Sequence, residues 1–133
     1  MAIALAVFGI VAGLAAPRIA RWIDRVAVLR AESEVASFYN RVRMAAVYRS
    51  ARVRVVFTSD SLAAFLEGDG DTLIARAPGP RRHGVALDAS RSVIRLYPNG
   101  LGLGGANTKL VLQRGAAADS LTISRLGRLK RWD

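Results

Sequence analysis

The chain has 133 residues, 52% of them hydrophobic, a formal net charge of +10 and no cysteine. That excludes a disulfide framework and thiolate metal sites, and the length supports one small core. The positive charge is almost all arginine and is spread along the chain rather than held in one block. It favours contact with anionic surfaces, whether lipid, nucleic acid or acidic protein.

Residues 1–17 carry no charged or hydrogen-bonding side chain, and Arg18 follows at once. Alanine, leucine and valine dominate, so a helix is expected despite Gly9 and Gly13. It would be ~25 Å long, just short of a ~30 Å hydrocarbon core. A soluble core helix normally shows a polar stripe, and a secretory signal has a basic region ahead of its apolar run; neither is present here. The segment therefore reads as a transmembrane or fibre-core helix. Met1, Ile3, Leu5, Phe8, Ile10, Val11 and Leu14 are the candidate membrane and assembly residues, with Pro17 at the end. Proline lacks a donor and crowds the preceding turn, so a kink or pause is expected at Pro17.

Past it, Ile19, Trp22, Ile23, Val26 and Leu29 recur at three- and four-residue steps. After the polar patch Glu32-Ser33-Glu34 the stripe resumes with Val35, Phe38, Val42 and Ala45. This spacing predicts an amphipathic helix to about Ser50, its apolar face turned to a sheet. Residues 18–52 thus continue the stem, and 53–133 form the remaining domain.

From Val53 the period changes to two. Strands are predicted over 53–57, 62–67, 72–76, 85–87, 92–97, 109–113, 120–124 and 128–132. Gly68-Asp69-Gly70-Asp71 is a hairpin turn, Pro98-Asn99-Gly100 a turn, and the glycines to Gly105 a flexible loop. Residues 78–84, with two prolines, are predicted to be an irregular loop. The fold class is α+β: a long N-terminal helix, apolar and then amphipathic, packed against antiparallel sheet.

Catalytic and metal-binding patterns are not found. His83, the single histidine, lies in an Arg/Pro loop and reads as an exposed loop residue. Asp69 and Asp71 suggest a calcium loop only faintly, because the later bidentate glutamate is missing. The run from Gly100 to Gly105 has the glycines of a phosphate loop without its Lys-Ser/Thr, and a strand follows instead of a helix. No nucleophile triad or carboxylate pair can be named from spacing. The expectation is a non-enzyme with no cofactor and no metal.

An apolar helix from Ala4 to Pro17, an amphipathic continuation and a C-terminal sheet resemble the type IV pilin and pseudopilin superfamily. The later order narrows the resemblance. Ile94-Arg95-Leu96-Tyr97-Pro98-Asn99-Gly100, a glycine-rich loop, strands around Leu110 and Leu121, then Leu126-Gly127-Arg128 are similar to minor pseudopilin H of type II secretion. The same domain occurs in FimT-like minor pilins. The resemblance implies a structural fibre subunit: a single-pass protein of the inner membrane with its globular domain in the periplasm. Its partners would be other major and minor pseudopilins, the secretion apparatus and a secreted protein substrate.

The family's Phe-Thr-Leu-x-Glu cleavage motif does not precede the apolar run, which is about five residues too short for the family helix and for a bilayer. An in-frame leader encoded upstream of Met1 is therefore expected. Arg18, Arg21, Arg25 and Arg30 after the helix would by charge alone favour the opposite orientation; the family topology takes precedence. The alternative from the resemblance is DNA uptake, with DNA bound by Arg125, Arg128, Lys130 and Arg131 beside Trp132. The same cations would also suit a solvated edge strand that deters aggregation.

Overall fold

A computed structural model describes residues 2–103 and 107–132. One helix, α1 (Ala2–Tyr48), runs through Pro17 without interruption. Proline costs one i→i−4 bond there, and the helix on both sides is long enough to hold its course. Eight strands follow: β1 (Val53–Phe57), β2 (Ser61–Leu66), β3 (Thr72–Pro78), β4 (Ala86–Ala89), β5 (Val93–Leu96), β6 (Thr108–Arg114), β7 (Ala117–Ile123) and β8 (Leu129–Trp132).

They form two antiparallel sheets, β3-β2-β1-β5 and β4-β6-β7-β8. The chain leaves the first sheet after β3, places β4 in the second, returns for β5 and then completes the second. The predicted strands are all present, with ends shifted by one to three residues where ladder pairing extends them. The expected loop at 78–84 is instead largely a 3-10 turn, Pro80–His83. Proline is well placed at its first position, where no N–H is required, and Gly84 closes it in the left-handed conformation at φ 69°.

Both sheets bury alternate residues against the second half of α1. Val53, Val55, Phe57, Leu62, Ile94 and Leu96 come from the first sheet, and Leu110, Leu112, Leu121 and Ile123 from the second. The helix answers with Val28, Ala31, Val35, Phe38, Tyr39, Val42 and Ala46. This stripe differs from the predicted one: Ile19, Trp22, Ile23 and Leu29 are exposed, and Ala46 rather than Ala45 is buried.

Two turns pin the helix. The Tyr39 hydroxyl donates to the Gly127 carbonyl at 3.1 Å, and Arg43 Nε donates to the Gly100 carbonyl at 3.2 Å. Gly127 adopts φ 72°, and a Cβ on it would stand 2.3 Å from the Gly100 oxygen, so only glycine fits where the two turns meet.

Candidate assembly stem and basic edge

The N-terminal part of α1 has no cover from the rest of the chain. Ile3 is 81% exposed, Phe8 77% and Leu14 70%, and Leu5, Ile10 and Val11 are similarly open. The stretch is long and apolar enough to cross a membrane, and none of its apolar window is buried. Pro17 lies within the exposed part, and Met1 is outside the described residues. Exposure continues past Pro17 through Ile19, Trp22 and Ile23. In the sequence these three look like the start of the core stripe, because helical spacing alone does not say where a sheet begins to cover a helix.

From Asp24 a ladder of ion pairs ties α1 to β6, β7 and β8 of the second sheet. Asp24 pairs with Arg114 of β6 at 2.9 Å, Arg25 with Asp119 of β7 at 2.5 Å, and Glu32 with Arg131 of β8 at 3.7 Å. Asp119 and Glu32 are almost fully buried. In the sequence Glu32 belongs to a polar patch that interrupts the stripe; here it is a buried anchor. On the opposite flank Glu34 accepts hydrogen bonds from Arg82 and from His83 Nε2, the latter at 3.0 Å. His83 is therefore a half-buried partner of α1 rather than a free loop residue. Burial pushes the Glu34 carboxyl up, but the hydrogen bonds and charges of Arg82 and His83 outweigh this, leaving it below the usual carboxylate range.

The four tail cations do not share one surface. Arg131 lies on the helix side of β8, against Glu32, whereas Lys130 lies on the outer side. Arg128 and Lys130 line an open cleft of about 280 Å³ with Thr122, Ser124 and Trp132. Trp132 donates its indole N–H to Thr122 at 2.9 Å, and Lys130 Nζ sits 3.7 Å from its ring centroid. Arg125 is exposed in the turn before β8, where its backbone N–H is held by Asn107. Elsewhere, Asp71 of the hairpin turn is paired with Arg54 at 2.5 Å. The glycine-rich loop falls partly outside the described residues, at 104–106. Among the described residues no three metal-ligating side chains cluster.

Solved structures share this architecture. The type IV minor pilin FimU of Pseudomonas aeruginosa superposes with a TM-score of 0.70 at 14% identity, covering 82% of this chain and 90% of that one. The minor pseudopilin EpsH from the type 2 secretion system of Vibrio cholerae gives 0.58 at 15% identity, covering 77% of this chain and 95% of that one. At such identities the likeness shows a common fold. No curated protein matches by sequence. The sequence profile of the family described as type II transport protein GspH, a family of pilin-like structural subunits, matches residues 31–127, which is nearly the whole head and the helix beneath it. The chain belongs to the GspH family.

Proposed function

We propose that the chain is a minor pseudopilin of a type II secretion machine, anchored in the inner membrane by its stem with the head in the periplasm. The observation that carries this is the uncovered apolar helix projecting from a head that is closed without it. In a fibre, Ile3, Leu5, Phe8, Ile10, Val11 and Leu14 would pack among the stems of other major and minor pseudopilins. Each such side chain removed from water contributes ~1.5–3 kcal/mol. In lipid that driving force between helices is absent, so assembly would need extraction by the secretion apparatus. The head would meet neighbouring subunits or a secreted protein substrate. No step requires a catalytic group or a cofactor.

Deleting the gene in its host tests this. Exoproteins should accumulate in the periplasm while uptake of DNA is unchanged. A photo-crosslinker at Phe8 should capture other pilin-like subunits. Normal secretion together with lost transformation would overturn the assignment.

A second reading, a DNA-uptake minor pilin, has one observation in its favour: Arg128 and Lys130 flank Trp132 in one cleft. Two facts weigh against it. Lys130 already covers the Trp132 ring face that would stack on a base, and Arg131 is engaged by Glu32. Duplex binding should therefore be weak and fall steeply between about 50 and 200 mM salt, as phosphate-dominated contacts do. Sub-micromolar affinity at the higher salt, lost in Arg128→Ala/Lys130→Ala, would favour DNA uptake.

A further inference from the structure

Between α1 and the first sheet runs a groove that the packing of the head leaves open. It consists of two adjoining clefts, of about 480 and 460 Å³, that share Arg41 and Arg76. As the chain advances along α1 from Ser33 and on to Arg49 just past its end, β3 runs back from Pro78 to Ile74 on the facing wall. The helical wall is ~24 Å long and faces ~13 Å of strand over 74–78.

Three features of the groove point the same way. First, Arg41, Arg49 and Arg76 converge there, and none of their side chains makes an ion pair or hydrogen bond among the described residues. By contrast Arg25, Arg54, Arg81, Arg82, Arg95 and Arg114 are all paired with carboxylates. The acid at the groove, Glu34, is already held by Arg82 and His83. Second, β3 is an edge strand whose only paired neighbour among the described residues is β2, so its outer edge is open to a further strand. Third, Ala45 and Ile74 put partly exposed apolar surface on the floor, over the buried Phe38 and Val42.

A charged edge strand is commonly a guard against aggregation, and Arg76 alone would fit that role. Arg41 and Arg49 do not: Arg41 stands on the helix and Arg49 just past its end, across the groove from the edge. We propose that the groove receives an acidic, extended segment of a partner protein. The segment would pair with β3 as a fifth strand and set its carboxylates against Arg41, Arg49 and Arg76. A second copy of this chain is poorly suited, since it carries a net charge of +10. Nucleic acid would leave the apolar floor and the strand's main-chain groups unused.

The test uses the full chain in uncharged detergent micelles with a labelled synthetic peptide, Glu-Val-Glu-Val-Glu-Val. The peptide should bind and should slow amide exchange across 72–77. Arg41→Ala/Arg49→Ala/Arg76→Ala should weaken it about 30-fold, as expected for three rim contacts. An equal charge reduction at Arg30, Arg52 and Arg91 should change affinity less than about twofold. A peptide with a central proline, which cannot pair along the edge, should bind far more weakly, and the Lys-Val analogue should not bind. Equal binding of the proline peptide, equal losses in both triple variants, or no protection in β3 would each overturn the proposal. So would a duplex oligonucleotide or a phosphatidylglycerol vesicle that displaces the peptide at equal charge concentration. These readouts are independent of which fibre the subunit joins.

Discussion

Arg25 and Asp119 form one ion pair whose two halves differ in burial. The carboxylate is fully enclosed, with Oδ2 lacking a hydrogen-bond partner, whereas the guanidinium is partly open to solvent. Removing the arginine strands a buried charge; removing the aspartate frees a cation that water can reach. Arg25→Ala should therefore cost about 3 kcal/mol and Asp119→Ala about 1 kcal/mol, read from urea midpoints of the folded head. Equal losses would mean that the pair acts only through packing. Tyr39 supplies a second residue-level test. Burial, only partly opposed by the charge of Arg43, pushes its hydroxyl up to about 12 from an ordinary 10.0. The neutral form is thus favoured in the folded state. Its stabilisation is complete below pH 10 and is lost as pH rises through the folded value. Tyr39→Phe, which gives up the bond to Gly127, should cost about 1 kcal/mol at neutral pH, and its deficit should shrink between pH 10 and 12. A deficit that stays constant across that range would contradict the assignment.

Among the elements, α1 has two parts with different environments. Up to Ile23 its apolar side chains are exposed; from Asp24 on it is locked by ion pairs and by the core. Deleting residues 1–22 is therefore expected to leave a soluble monomer with a cooperative unfolding transition, measured by sedimentation and circular dichroism. Aggregation or a non-cooperative melt would make the stem part of the head's core. Conversely, Phe8→Arg/Leu14→Arg in the full chain should leave the head's transition unchanged while abolishing membrane insertion. Two charges at the centre of a span cost roughly 5–7 kcal/mol on insertion scales. Unchanged partition into the membrane fraction would refute the anchoring role.

At the scale of the whole molecule, much was legible in the chain. The apolar run ending at Arg18, the change of period at Val53 and the glycine turns determine a helix followed by antiparallel strands, because periodicity and turn chemistry are local properties. They also carry the family resemblance that the GspH match bears out. Over Val35, Phe38 and Val42 the buried face of α1 was legible; before Glu32 it was not. Ile19, Trp22 and Leu29 have the spacing of a core stripe, yet the sheets select Ala27, Val28, Ala31 and Glu32 instead. That choice depends on where two sheets, assembled from strands far apart in sequence, meet the helix. The division of β4 and β5 between those sheets is equally non-local. The same holds for charge. Composition determines a basic protein, but only the tertiary structure decides which arginines are neutralised. It joins Arg131 to Glu32 across 99 positions, draws His83 to Glu34, and among the described residues leaves Arg41, Arg49 and Arg76 unpaired beside an open strand. An ion pair is set by distance in space, and separation along the chain says nothing about it until the sheets have formed.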